Sequence, residues 1–317
     1  MLLRYLAFLI CSAVAACAAT SVVVDTDAGS DDLMAIAFLL SRPDVRIEAI
    51  TVCNGLAHVP RGGTNVLRLL ALAGRGDIPV YLGSETPLLK TADFPEEWRR
   101  ISDELPGVQL PAAKRSVEKQ TAAAFLAHTR ASVILALGPL TNLALALRAN
   151  PKAFAGVDRL VIMGGALRVP GNLGDGGLYK TKNTKAEWNI FVDPRAARMV
   201  FESGVKIDLI PLDATGKVPI HKEFVDEVRK RARGPLSRFV VQVLESDREA
   251  IDGGYFQAWD PLAAAALVQR GVVGFRPVRV TVTAEGQTAE SAKGVPIQVG
   301  LDANAAEFRR LFLDALH

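Results

Sequence analysis

Four carboxylates, Asp25, Asp27, Asp31 and Asp32, fall within eight residues of the segment SVVVDTDAGSDDLMAI that runs from Ser21 to Ile36. At about 4 Å each such pair repels by roughly 1 kcal/mol even at the dielectric of bulk water, and by several times that at a partly buried site. Positive charge must compensate them. A helix N-terminus supplies only about half an elementary charge, and no Lys or Arg lies between Val22 and Ser41. The economical compensation is a bound cation, and oxygen ligands alone select a hard one, Ca²⁺ or Mg²⁺. The plainer reading, that Asp31 or Asp32 merely caps a helix, accounts for one acid at a time and not for the cluster.

The elements that must hold these acids are legible on either side. Val22 to Val24 read as a buried strand, Ala28-Gly29-Ser30 as a tight turn, and Asp32 onward as a helix with Leu33, Ile36, Ala37 and Leu40 on one face. The acids therefore sit at the C-terminal end of a strand, the edge where open α/β sheets bind ligands. A second strand, Ile47 to Cys53, ends in Asn54-Gly55, a helical pattern covers Asn65 to Ala73, and Pro79 to Leu82 reads as a third strand. This βαβαβ spacing predicts an α/β fold, an open and mostly parallel sheet with helices on both faces.

Residues 84–116 break the rhythm and read as a long loop or lid carrying FPEEWRRISDELPG. It resumes with a helix over Val117 to Thr129, a strand over Val133 to Leu137 and a helix over Leu140 to Ala149, then a strand over Arg159 to Met163. A Gly- and Lys-rich loop, Ala166 to Lys185, leads to Glu187-Trp188-Asn189, and Asp193-Pro194 caps the next helix. After a strand over Val205 to Leu209, helices are predicted over 221–233 and 235–250, and another over 262–270 behind Trp259-Asp260-Pro261. Val278 to Thr283 and Ile297 to Leu301 read as a two-strand appendage closed by a helix over Ala303 to Leu316.

At 317 residues, 50% hydrophobic and 22% charged, the chain has ample material for a large core. Its net charge of +3 is mild and gathers into no basic tract, which argues against a nucleic-acid partner. Residues 1–20 are different material: Arg4, an apolar run and small residues at the end resemble a secretory signal, with Ala16-Cys17-Ala18 as a cleavage pattern. Val14-Ala15-Ala16-Cys17 also resembles a lipoprotein box, in which Cys17 would carry a lipid anchor. Either reading predicts an exported protein, periplasmic or membrane-anchored, whose residues 21–317 form one domain. Cys53 is then the one cysteine of the mature chain, so no internal disulfide forms, and at the end of an apolar strand it reads as a core or site-lining thiol rather than a nucleophile. His58 and His128 read as surface residues.

The opening D-x-D-x-G-x-D-D, followed in order by Gly138-Pro139-Leu140-Thr141-Asn142, Met163-Gly164-Gly165, Glu187-Trp188-Asn189 and Asp260-Pro261, resembles the nucleoside hydrolase family from about Val22 to the C-terminal helix. The resemblance implies Ca²⁺-dependent hydrolysis of the N-glycosidic bond of a ribonucleoside, giving ribose and free base, in a homodimer or tetramer. It implies a metal held by Asp27, Asp32, the Leu137 carbonyl and Asp260. It implies ribose contacts from Asp31, Asn54, Asn172, Glu187 and Asn189, with Met163 beneath the sugar. Asn54-Gly55 inverts the Gly-Asn order usual in the family. The chemistry agrees, since an oxocarbenium-like transition state needs fixed negative charge and hydroxyl acceptors around the ring. Asp27, at the centre of the cluster, is the expected general base.

Where many family members of broad or pyrimidine preference carry a His before the late Asp, this chain has Trp259. With Trp98 and Trp188, that substitution resembles the purine-specific inosine-adenosine-guanosine subgroup, in which the base is sandwiched between indoles, here Trp98 and Trp259. Trp188 reads equally as packing or site lining, and Tyr255 as a residue of the site's mouth. Two other classes share part of the pattern. Mg²⁺-dependent phosphohydrolases also use D-x-D after a strand, but they expect a hydroxyl or small apolar residue where Gly29 stands. An exported nucleoside-binding protein would keep the ribose-gripping residues without turnover.

Overall fold

Successive residues of a strand point to opposite faces of its sheet, and the β-branched run that opens the chain uses both faces. Val22 and Val24 enter one apolar core while Val23 enters the other. A strand buried on both sides reads as a continuous hydrophobic run, the mark of a parallel sheet covered by helices. The computed structural model describes residues 19–89 and 92–316. Cys17 and the expected cleavage and lipidation patterns lie outside the described residues.

The chain runs β1 (Thr20–Thr26), α1 (Ser30–Leu40), β2 (Val45–Val52), α2 (Val59–Leu72), β3 (Val80–Leu82), α3 (Glu96–Glu104), α4 (Ala122–Leu126), β4 (Val133–Ala136), α5 (Thr141–Ala149) and β5 (Arg159–Met163). It continues through α6 (Trp188–Val192), α7 (Pro194–Phe201), β6 (Ile207–Ile210), α8 (Leu212–Thr215), α9 (Lys222–Arg231), α10 (Pro235–Ser246), α11 (Arg248–Asp252) and α12 (Trp259–Val268). It closes with β7 (Val273–Val282), β8 (Thr288–Glu290), β9 (Val295–Ala303) and α13 (Ala305–Ala315). Nine strands form one sheet in the order β3-β2-β1-β4-β5-β6-β9-β7-β8. Pairing is parallel from β3 through β9, and antiparallel where β7 meets β9 and β8. Residues of α1, α2, α9, α10, α12 and α13 cover one face, and residues of α5 and α7 the other.

The order 3-2-1-4-5-6 reverses direction at β1 and β4, so a crevice opens beyond their C-terminal ends. That crevice is where the acid run and Leu137 emerge. The expected α/β sheet is therefore present, with several local differences. The C-terminal strands are no appendage: Asp208 and Leu209 of β6 pair with Gln298 and Val299 of β9, so the main sheet simply continues. The helix expected from Val117 shrinks to α4 because the Glu118 N–H bonds the Val80 carbonyl at 2.8 Å, extending the chain along β3 instead. The long segment after β3 contains α3, and the helix expected over 235–250 is divided at Asp247.

Candidate active site

The acids are set by an unusual turn. Ala28 takes φ 58°, a left-handed conformation that costs an alanine on the order of 1–2 kcal/mol, and its N–H donates to Thr26 Oγ1 at 3.0 Å. This tight reversal starts α1 at once, with Asp31 and Asp32 in its first turn, where the helix dipole favours negative charge. Asp32 accepts from the Thr26 hydroxyl and from the N–H groups of Asp27 (3.2 Å) and Gly29 (3.1 Å). Asp27 Oδ2 accepts the Leu56 N–H at 2.9 Å. Two glycines make room for Asp27. A Cβ on Gly55 would lie 2.0 Å from Asp27 Oδ2, and one on Gly138 would lie 2.8 Å from the Asp27 Cβ.

Asp260, in the first turn of α12, completes the cluster, and its Oδ1 is buried without a hydrogen-bond partner. Asp31, Asp32 and Asp260 each offer an oxygen within 4.8 Å of the others. Asp31, expected on the ribose, lies close to Asp32 and Asp260, and Asp27, expected on the metal, adjoins the same group through its contact with Asp32 while its Oδ2 accepts the Leu56 N–H. Leu137 lines the same cavity, and its carbonyl accepts the Asn189 amide at 2.8 Å. Burial, then the charge of Asp32, holds the carboxyls of Asp27 and Asp260 well above the usual range. Burial and Asp27 push Asp31 up to about 7, and burial and Asp31 push Asp32 up to about 6. Such a set cannot ionise together unaided, and an all-oxygen donor set with an orphaned buried oxygen fits a hard divalent cation.

The opposite wall carries the polar groups suited to a sugar. Glu187 caps α6, its oxygens accepting the N–H groups of Gly165 (2.8 Å), Asn189 (2.9 Å) and Ile190 (3.2 Å), and burial raises its carboxyl to about 7. Asn189 Nδ2 also reaches Met163 Sδ at 3.4 Å, and Asn172 Oδ1 accepts the Trp188 N–H at 3.2 Å. Asn172, Met163, Glu187 and Asn189 all line one cavity of about 480 Å³ with the acids. Asn54 does not line it. The side chain is buried, its Oδ1 accepts from Arg99 at 3.3 Å, and the residue that lies against Asp27 is Gly55.

Trp98 and Trp259 both line the cavity, from α3 and from the start of α12. Trp259 packs edge-on against Phe256, and Trp98 edge-on against Trp188 at 5.8 Å. Trp188 does both things expected of it: it stacks on Phe94 at 4.8 Å in a small apolar cluster and still reaches the cavity wall. Tyr255 stands exposed at the mouth. Cys53 is fully buried, and burial pushes its thiol well above the usual range, which removes it as a nucleophile. Sequence reasoning missed the packing roles of Gly55 and Gly138 against Asp27, and Asp247, which lines the cavity but reads in sequence as one more acid on a helix.

A family model described as inosine-uridine preferring nucleoside hydrolase matches residues 22–310. The pyrimidine-specific ribonucleoside hydrolase RihA of Citrobacter koseri is 38% identical over 233 residues, covering 72% of this chain and 70% of that protein. A RihA of Escherichia coli is 36% identical over the same length, covering 72% of this chain and 71% of its own. Among solved structures, the plant nucleoside hydrolase PpNRh1 superposes with a TM-score of 0.82 at 27% identity, covering 94% of this chain and 98% of that one. A purine-preferring ribonucleoside hydrolase from Gardnerella vaginalis gives 0.80 at 26% identity with the same coverage. With this match running through the sheet that carries the acid cluster, the chain belongs to the nucleoside hydrolase family, enzymes that hydrolyse the N-glycosyl bond of ribonucleosides.

Proposed function

We propose that this nucleoside hydrolase is calcium-dependent and prefers purine ribonucleosides, releasing ribose and the free purine. The observation that carries the reading is one cavity walled by Asp27, Asp31, Asp32 and Asp260 on one side, Glu187 and Asn189 on another, and the indoles of Trp98 and Trp259. Ca²⁺ held by the acid cluster and the Leu137 carbonyl would keep the carboxylates ionised and lower the cost of deprotonating water. Asp27 takes the proton of the attacking water at Oδ1, since Oδ2 is engaged by the Leu56 N–H. The carboxylates and the Asn172 and Asn189 amides hold the ribose hydroxyls, and the surrounding negative charge favours cationic character at C1′.

Purine preference rests on the indoles, which bind a protonated purine face and make it a better leaving group. The pyrimidine-specific names of the RihA relatives favour a second reading, in which uridine and cytidine are the better substrates. Release of free base from inosine, guanosine, adenosine, uridine and cytidine decides between them. Loss of turnover on chelation and recovery with Ca²⁺ tests the metal. The leader sequence supports export, with Cys17 as a lipid anchor, and a homo-oligomer follows from the family resemblance.

A further inference from the structure

Among the described residues, every charged side chain that lines the cavity is acidic, and no His, Lys or Arg is among them. Five of these acids belong to the cluster or to the ribose wall, while Glu97, Asp175, Asp247 and Glu249 do not. Asp247 differs from the other three, which are exposed. It sits where α10 gives way to α11, hydrogen-bonded to Ser30 and close enough to feel the charge of Asp31. Its Oδ2 is buried and has no hydrogen-bond partner. Around the same space stand the indoles of Trp98 and Trp259, and three of the large apolar residues most exposed on the described surface, Ile101, Leu178 and Tyr255, edge the cavity. An apolar, π-faced chamber with one carboxylate oxygen left unpartnered, and with no positive side chain among its described residues, selects a flat, apolar ligand bearing positive charge.

We propose that the cavity selects ribonucleosides whose base carries a fixed positive charge, such as N7-alkylated purine and pyridinium N-ribosides, with Asp247 as the counter-charge to the base. The inference rests on the hydrolase reading above and specifies its substrate class. A neutral purine needs a proton before it departs well, and among the described residues no histidine lines the cavity to give one. A quaternised base needs none. The C1′–N bond breaks with its electron pair going to the base nitrogen, which leaves neutral; a water oxygen bonds to C1′, and the proton it loses passes to Asp27 and then to solvent. One cationic nucleoside and one water thus give ribose, a neutral base and one proton.

The test separates charge recognition from chemistry. Binding of 1-methylnicotinamide, a fixed cation, and of nicotinamide, its neutral counterpart, to the Ca²⁺-loaded protein is read from indole fluorescence. The cation should bind at least fivefold tighter, Asp247→Asn should reduce the ratio below twofold, and Asp247→Glu should restore most of it. Equal affinities in the unmodified protein, or a ratio that survives in Asp247→Asn, would overturn the proposal. In turnover, corrected for spontaneous hydrolysis, 7-methylinosine should exceed inosine at least tenfold in kcat/KM, and Asp247→Asn should cut that advantage at least threefold through KM. Turnover of inosine with no such advantage sinks this inference and leaves the hydrolase reading intact. Cation-selective binding without hydrolysis of either nucleoside sinks the hydrolase reading and leaves the charge selectivity standing.

Discussion

The Asn142 side-chain amide donates to Asp25 Oδ1 across 2.9 Å, tying the first acid of the run to the first turn of α5. Asp25 also accepts from the Thr51 hydroxyl, and it is fully buried outside the cavity. Of the two acids in Asp25-Thr26-Asp27, the first is thus structural and the second faces the ligand space. The Asn142 carbonyl oxygen in turn accepts the Ser84 N–H at 3.3 Å, so one amide joins β1, α5 and the segment after β3.

Asn142→Ala should therefore act on stability. It removes a hydrogen bond to a buried carboxylate, a loss of about 2–3 kcal/mol. An unfolding free energy lowered by that amount, read from the urea midpoint and slope, with KM for a cleaved nucleoside changed less than twofold, is the expected result. An unchanged midpoint would show that the bond contributes nothing net.

The space around Asp27 makes a sharper prediction. Gly55→Ala puts a methyl where Asp27 Oδ2 lies, 2.0 Å away, so the carboxylate must move. Turnover should fall on the order of a hundredfold, the low end of what a general base contributes, while circular dichroism stays native. Asn54→Ala, one residue earlier, touches only the Arg99 contact. Its turnover should change by much less, so the pair of variants assigns the role to the backbone position beside Asp27 and not to the Asn54 amide.

The two neighbours illustrate what a sequence discloses about this fold. The β-branched strands, the acid run and the Asp193 cap were legible because local chemistry decides them: Asp193 Oδ1 accepts the Ala196 N–H at 3.0 Å as its spacing implied. The direction of the Asn54 side chain was not, because it is decided by Arg99, forty-five positions away in the chain. The same limit applies to Asp247, whose sequence context is an ordinary helix and whose place at the cavity depends on α10 packing against α1. β9 joined the main sheet for a similarly non-local reason, since only pairing with β6 distinguishes it from a separate hairpin.

The acids also set a pH dependence. Burial raises Asp25, Asp31 and Glu187 to about 7 and Asp32 to about 6, against about 4 in an unfolded chain. The metal-free folded protein therefore binds more protons than the unfolded chain between about pH 4 and 7, and its stability falls as pH rises through that window. Ca²⁺ competes with those protons, so it should stabilise more at pH 8 than at pH 5. Melting temperatures at the two pH values, with chelator and with Ca²⁺, check both signs. A calcium shift that is larger at pH 5 would remove the acid cluster as the binding site.

Asp27 and Asp260 should separate by the kind of defect they produce. Asp27→Asn keeps the oxygen that accepts the Leu56 N–H but loses the basic carboxylate, so kcat should drop by roughly 10²–10⁴ with KM little changed. Asp260→Asn takes a charge from the group it forms with Asp31 and Asp32, so its activity should recover in part at high Ca²⁺. Near-normal kcat in Asp27→Asn would assign the proton to another group.

The three tryptophans should divide in the same way between chemistry and packing. Trp98 and Trp259 are half-buried and line the cavity, and an indole facing a cationic purine gains about 0.5–2 kcal/mol. Trp98→Ala and Trp259→Ala should each lower kcat/KM on inosine by roughly 2- to 30-fold on that basis, with a smaller effect on uridine, whose ring offers less face to an indole. Trp188 is only 4% exposed and touches Phe94, Tyr179 and Phe191 as well as Trp98. Trp188→Ala empties the centre of that cluster, so it should cost about 3–5 kcal/mol of stability, read as a lowered denaturant midpoint. Kinetic losses on inosine and uridine of equal size in the Trp98 and Trp259 variants would show that these indoles do not discriminate between bases, and purine preference would then have to come from elsewhere in the cavity.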